Sequence, residues 1–286
     1  MCIRDRYNID HNLIEDAISD KTKAILCVHQ MGMPSKISEI LKIAKKYNIP
    51  VIEDAACSVG SEILYNGIWE KIGKPHGDIS CFSFHPRKVL TTGEGGMITT
   101  KDEYFDKEFR LLRHHGMSVS DIERHGSKNL IFEDHLMLGY NYRLSDIQAA
   151  IGIAQLKKIK KIISKRRKIA RRYFEILQNI EEINLPVEPK WARSNWQSFC
   201  IRLDDKIDRN VVLQYLKSEN ISSKIGIMCS HLDTAYKTEP WRAIDDLTQS
   251  KRARDKSLLL PVYDDLKYET QKHIGNSLKR IILSSK

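Results

Sequence analysis

Residues 23–28 (KAILCV) form a short apolar run, and residues 36–47 place Ile37, Ile40, Leu41 and Ala44 on one helical face. Residues 50–54 return to an apolar run that ends in two acids, Glu53 and Asp54. Short apolar runs on either side of a segment with helical period predict a β-α-β unit, and such alternation predicts a parallel sheet. Residues 78–84 (DISCFSF) alternate polar and apolar positions and predict a further strand. Within residues 61–77, Asn66-Gly67 separates Ile63-Leu64-Tyr65 from Ile68-Trp69, which predicts a hairpin with a two-residue turn. Gly93-Glu94-Gly95-Gly96 then leads into Met97-Ile98-Thr99-Thr100, where the glycines permit a tight backbone. No strand-Gly-x-Gly-x-x-Gly-helix order is present, so this is not a dinucleotide fingerprint.

In the second half, Ser145 is placed as the N-cap of a helical stretch over 145–163 that continues into a second segment through about residue 180. Its first part carries Ile147, Ala150, Ile151, Ala154 and Leu156, apolar enough for a core or a dimer interface. Beyond residue 182 come Pro186 and Pro189, a strand over 195–203, a helix around 210–219, a loop with Gly226 and a final helix after 267. This is the pattern of a smaller C-terminal α+β domain. There are no internal repeats. A chain of 286 residues with 41% hydrophobic positions buries roughly three quarters of its extended surface, enough for two subdomains.

The formal net charge of +10 raises the question of nucleic acid, because residues 157–172 hold ten Lys and Arg in sixteen positions. Ile159, Ile162, Ile163, Ile169, Ala170, Tyr173 and Phe174 recur there at helical spacing, so the basic residues are expected on the wet face of an amphipathic helix. No recognition motif accompanies the charge, and no nucleic-acid partner is expected. No His-Glu-x-x-His or Cys-x-x-Cys spacing exists, and His114-His115, read as neighbours on a helix, would face different ways; no metal is expected. The six cysteines show no disulfide spacing, which points to reduced thiols in the cytoplasm. No run approaches eighteen apolar residues, so no membrane partner is expected.

Candidate chemistry enters with Asp54, at the end of an apolar strand, and Lys88, thirty-four residues later in Ser83-Phe84-His85-Pro86-Arg87-Lys88. Open α/β sheets bind ligands at the carboxyl ends of their strands, and both residues are expected on that rim with Ser83. A lysine that condenses with an aldehyde and a carboxylate that keeps a pyridine nitrogen protonated are the requirements of pyridoxal phosphate chemistry. Each residue alone has a plainer reading: Asp54 as an N-cap before Ala55-Ala56, Lys88 as one more surface lysine.

Four ordered blocks, VIEDAACSVGSE (51–62), GDISCFSFHPRKVLTTGEGGMITT (77–100), RLLRHHGM (110–117) and LGYNYRLSDIQAAIGIAQLKKI (138–159), carry a wider likeness. With them the chain resembles the DegT/DnrJ/EryC1/StrS sugar aminotransferases, α/β enzymes of pyridoxal phosphate fold type I. The resemblance implies that Lys88 holds the cofactor as a Schiff base, that Asp54 partners the pyridine nitrogen and that Ser83 binds the phosphate. It also implies that Asn141 reaches the phosphate of a neighbouring subunit, hence a homodimer. The implied reaction moves an amino group from glutamate to a nucleotide-linked keto sugar in amino-deoxysugar or polysaccharide biosynthesis. Arg143 and His231 are weaker candidates for substrate contact; a helix-anchoring salt bridge and a turn cap are their structural alternatives. Cys57 departs from the family, which places Gln or His there beside the cofactor's phenolic oxygen, and a small thiol packing behind the ring is the alternative.

Relatives with His in place of the lysine dehydrate the sugar instead, and a non-catalytic ligand-binding relative is a second rival; Lys88 argues against the first. Family members carry about a hundred residues ahead of the segment that begins at Tyr7, holding a phosphate-binding helix start and a stacking aromatic. Residues 1–6 resemble no family segment and read as a non-native leader. The expected division is therefore leader 1–6, an incomplete cofactor-binding large domain 7–163 with a mainly parallel sheet, and a small domain 164–286 that includes the connecting helix.

Overall fold

A computed structural model describes residues 7–119, 126 and 132–284 of the chain; the expected leader, residues 1–6, lies outside them. Strand β1 (Ile25–Val28), helix α1 (Ile37–Tyr47) and strand β2 (Val51–Asp54) form the first β-α-β unit. Helix α1 buries Ile37, Ile40 and Ala44 and stops at Asn48, whose left-handed backbone (φ 52°) turns its N–H back to the Ala44 and Lys45 carbonyls. Asparagine tolerates that conformation better than other residues with a side chain. β1 and β2 run parallel, with Val28 opposite Asp54.

The chain then makes the hairpin of β3 (Glu62–Tyr65) and β4 (Ile68–Lys71). Asn66 (φ 49°) and Gly67 (φ 81°) both have positive φ, as a type I′ turn requires. Strand β5 (Ile79–Ser83) returns beside β2 in parallel, and β6 (Gly96–Thr100) closes the sheet antiparallel to β5, giving the order β1-β2-β5-β6. The sheet is thus parallel in its first three strands, and β6 reverses because the Gly93–Gly96 turn replaces a crossover helix. Its core joins Cys27, Val51, Ala55, Ile63 and Ile72 to the inner face of α1.

Helix α2 (Glu103–Arg113) starts at Asp102, whose carboxylate accepts from the Tyr104 and Phe105 amides. It ends before His114, which corrects the placement of His114-His115 on a helix. His115 adopts φ 58°, and the backbone leaves the helix to pair with the segment carrying Asn141 through His115 N–H to the Tyr140 carbonyl at 2.9 Å. Helix α3 (Asp146–Leu156) opens with the expected Ser145 cap, completed by Gln148 into a capping box. Helix α4 (Ile159–Leu177) follows as the second segment. Its first turn packs Ile159, Ile162 and Ile163 against Val89 and Leu90, and from Ile169 onward it belongs to the C-terminal core.

One expectation for α4 needs correction, because not all of its basic residues are on the wet face. Arg166 is 9% exposed and donates to the Trp196 and Gln197 carbonyls; Arg167 forms a bidentate pair with Glu188 at 2.6 and 2.8 Å and donates to Ser194 O. Guanidinium forks satisfy carbonyls and carboxylates that a helix face would otherwise bury unpaired. Burial lowers the Arg166 pKa from its ordinary value.

Short strands β7 (Ile183–Asn184) and β8 (Ala192–Arg193) lead to β9 (Phe199–Leu203) and helix α5 (Arg209–Ser218). β8 extends the hairpin into a β4-β3-β8 sheet, where Arg193 lies 3.8 Å over the Trp69 ring. The strand expected over 195–203 begins only at Phe199, since Trp196 has φ 52° and breaks the extended backbone. A separate sheet continues with β10 (Lys224–Ile225) and, after helix α6 (Thr248–Lys256), β11 (Ser257–Leu260), in the antiparallel order β10-β11-β9-β7. Helix α7 (Tyr268–Ser284) packs on α4 and buries Ile274, Leu278 and Ile282. No helix among the described residues is long and apolar enough to cross a membrane.

Candidate functional site

Strand register decides which side chains share the rim. Asp54 pairs with Cys81 across β2 and β5, and Ser83 follows Cys81 by two residues, so Asp54, Cys81 and Ser83 lie on one face of the sheet. All three are half-buried. Asp54 sits at the strand's carboxyl end, where its Oδ1 accepts from the Ala56 amide at 3.0 Å and its carbonyl accepts from His29 N–H. Residues 55–58 are turn rather than helix, so the N-cap reading of Asp54 gives way to a local Asx turn. Burial, and then the Asp54 charge, push the Cys81 thiol up. The Ser83 Oγ accepts from the His85 amide at 3.3 Å.

Glu53 points the other way, with Ser80, and its side chain is fully buried. One carboxylate oxygen accepts from the His76 and Gly77 amides and the Ser80 hydroxyl at 2.9–3.1 Å, and the other faces His29 Nε2 at 3.0 Å. The Ser35 amide donates to His29 Nδ1, which leaves the ring proton on Nε2, aimed at Glu53. Burial pushes the Glu53 carboxyl up, but the His29 hydrogen bond and the Gly77 amide more than offset it, and the pKa lies below the ordinary glutamate value. Glu53 therefore ties β1, β2 and β5 together beneath the rim and, fully buried, is not presented to a ligand.

Lys88 lies on the loop after β5, half-buried, with its amide donating to the His85 carbonyl at 2.9 Å. Its Nζ donates to Cys57 Sγ at 3.1 Å, which joins the β5 loop to the turn after Asp54. The residues that hold this junction are ones the sequence pattern did not single out. Gln197 clamps both flanks of Lys88: its Oε1 accepts from Val89 N–H at 2.8 Å and its Nε2 donates to Arg87 O at 2.6 Å. Asn195, fully buried, donates from Nδ2 to the Cys57 and Val59 carbonyls, both at 2.9 Å. The available signal was two amides flanking Trp196 at positions assigned to a strand, where an unbroken apolar alternation is expected.

Asn195→Ala leaves two part-buried carbonyls without a donor, and unsatisfied buried polar groups cost roughly 1–3 kcal/mol each. A loss of about 2 kcal/mol in urea-unfolding free energy is expected; a change within about 0.5 kcal/mol of zero, the usual range for inert surface positions, would contradict the clamp.

Asn141, Arg143 and His231 are not brought into contact with Asp54, Ser83 or Lys88 within this chain. Asn141 is exposed, bridges His114 through its backbone and accepts from Arg143 Nε at 3.2 Å. Its segment runs into α3, whose Gln148 donates to the Glu94 carbonyl at 2.9 Å, so it borders the glycine turn. His231 lies in a separate pocket with Tyr7, Tyr236 and Trp241, its ring 5.4 Å from that of Trp241 and its Nδ1 3.4 Å from Cys229 Sγ. Burial, and then Lys251 and Arg254, lower the His231 pKa.

A carboxylate and a hydroxyl on one face of the carboxyl rim, with an amine on the loop after β5 held beside the turn that follows Asp54, form a donor set that fits the pyridine nitrogen, phosphate and aldehyde of pyridoxal phosphate. The model of the DegT/DnrJ/EryC1/StrS aminotransferase family matches residues 3–279. The chain belongs to this family. Its enzymes are sugar aminotransferases that use pyridoxal phosphate, and the chain is an enzyme of that class. An uncharacterized protein of Methanocaldococcus jannaschii is 36% identical over 282 residues, covering 98% of this chain and 72% of its own length. Among solved structures, the Helicobacter pylori aminotransferase PseC, involved in pseudoaminic acid biosynthesis, is 26% identical with a TM-score of 0.87, covering 99% of this chain and 73% of PseC. A family aminotransferase from Brucella abortus is 28% identical with a TM-score of 0.82, covering 98% of this chain and 71% of its own. The fold is that of fold type I pyridoxal phosphate enzymes.

Proposed function

We propose that this aminotransferase transfers an amino group from L-glutamate to a nucleotide-linked keto sugar, in the biosynthesis of amino-deoxysugars or polysaccharides. The observation that carries the reading is the rim itself, with Asp54 and Ser83 on one face of the sheet and the Lys88 amine held beside the turn that follows Asp54. PseC, an aminotransferase involved in the biosynthesis of pseudoaminic acid, supports the sugar class.

When bound, pyridoxal phosphate supplies an electron sink for the pair left on a carbon that loses its proton. Asp54 keeps the pyridine nitrogen protonated, and the Ala56 amide holds its Oδ1 in orientation. The half-buried Lys88 amine would anchor the cofactor and, as the free amine, would move the proton between substrate and cofactor carbons; Gln197 fixes the loop from which it works. Ser83 would donate a hydrogen bond from its hydroxyl to the phosphate. A lysine here, rather than a histidine, favours amination over dehydration. Arg143 and His231 are assigned to the nucleotide sugar.

Asn141 is assigned to the site of a second subunit. In support, Leu138 is 96% and Ile147 76% exposed beside it, an apolar surface that a second copy would cover. Free cysteines at 27, 57, 81, 200 and 229 support a reducing, cytoplasmic setting. The test is to supply pyridoxal phosphate, L-glutamate and a panel of nucleotide-linked and free keto sugars, and to follow 2-oxoglutarate and amino-sugar masses. Amination confined to nucleotide-linked acceptors is expected. Amination of free keto sugars alone, or from a donor other than glutamate alone, would overturn the corresponding half of the proposal.

A further inference from the structure

The Cys57 sulfur accepts from the Lys88 amine at 3.1 Å. The pair is held from both sides by one short segment: Asn195 pins the Cys57 carbonyl, and Gln197 pins the residues before and after Lys88. Both residues are half-buried, so neither is sealed from solvent. The other described cysteines are in different surroundings. Burial raises the thiols of Cys27, Cys81, Cys200 and Cys229, that of Cys200 to about 12. A protonated buried thiol is a poor nucleophile.

We propose that Cys57 and Lys88 form an oxidative modification site, at which a peroxide links Sγ to Nζ through a sulfenamide bond. In the first step the Cys57 sulfur attacks the peroxide; the O–O bond breaks, sulfur is oxidised by two electrons to the sulfenic acid, and the peroxide leaves as water or an alcohol. In the second, the neutral Lys88 amine attacks that sulfur, the S–O bond breaks, and the hydroxide leaves with an amine proton as water. A small thiol reverses the link: it attacks sulfur, releases the lysine amine and leaves a mixed disulfide, which a second thiol reduces to Cys57. The nitrogen consumed is the one assigned above to the cofactor, so the oxidised chain cannot attach pyridoxal phosphate, and attached cofactor shields the pair. This consequence rests on the proposed role of Lys88, whereas formation of the link does not.

The experiment treats the cofactor-free chain with hydrogen peroxide and maps its peptides by mass spectrometry. The expected product joins the Cys57 and Lys88 peptides, is lighter than their sum by two hydrogens, and disappears with dithiothreitol. Cys57→Ser abolishes it; Lys88→Gln abolishes it while Cys57 gains oxygen that dimedone traps. Borohydride trapping of pyridoxal phosphate on Lys88 falls by the fraction linked and returns after thiol treatment. Oxidation of Cys57 to sulfinic acid with the Lys88 peptide unchanged would overturn the proposal, as would a link that survives in Lys88→Gln. If the link forms but untreated chain never traps cofactor on Lys88, the cofactor assignment fails and the modification site stands.

Discussion

Lys88→Ala is expected to lower transamination by about 10⁴-fold or more, since positioned acid–base catalysis alone contributes 10²–10⁴ and covalent attachment is lost with it. The loop should survive the change. Its restraints are main-chain groups, with the Lys88 amide bonded to His85 O and the Val89 amide and Arg87 carbonyl bonded to Gln197, and none of these involves the side-chain nitrogen. The side chain's own contact is with Cys57, which is half-buried and keeps its carbonyl bond to Asn195 when the amine is removed. Thermal unfolding within a few degrees of the parent, together with absent borohydride-trapped cofactor and absent turnover, is the expected set of results. Turnover near the parent rate would remove Lys88 from the chemistry, and a collapse in thermal stability would assign it a structural role.

The reach of sequence reading followed the physics of each element. The β-α-β start, the Asn66-Gly67 hairpin and the Ser145 cap rest on local signals, namely period, turn chemistry and capping, and these need no tertiary information. Helix α6 and strand β11 escaped notice because TQSKRARDK shows little amphipathic contrast and SLLL is too short to separate from a loop without its partner β9. The basic run on α4 misled for another reason. Composition marks Arg166 and Arg167 as wet, but carbonyls at Trp196, Gln197 and Ser194, some thirty residues later, draw them inward. In the candidate site, what was legible was the placement of Asp54 and Ser83 at the ends of recognisable strands and of Lys88 on the loop that follows the second of them. Asn195 and Gln197 were not, since what they hold lies more than a hundred residues earlier, and only the fold brings the two together.

Asp54→Asn isolates the charge from the shape. Asparagine keeps the oxygen that accepts from the Ala56 amide, so the turn after β2 should persist. What disappears is the negative charge assigned to the pyridine nitrogen. Removal of one preorganised electrostatic partner lowers kcat by roughly 10²–10³, while cofactor affinity should fall by only about 1.5–3 kcal/mol, the value of a charge-assisted hydrogen bond. Glu53, one residue earlier, cannot substitute: it faces the opposite side of the sheet, and His29, His76, Gly77 and Ser80 already occupy its oxygens. A cofactor-independent reading comes from Cys81. Burial and then Asp54 hold its thiol above the ordinary value, so loss of the charge should move its titration down, part of the way, as followed by alkylation rate against pH. Slow turnover together with a downward shift at Cys81 is the expected pair of results. Unchanged turnover with that shift present would show that the charge was removed and that the reaction does not use it.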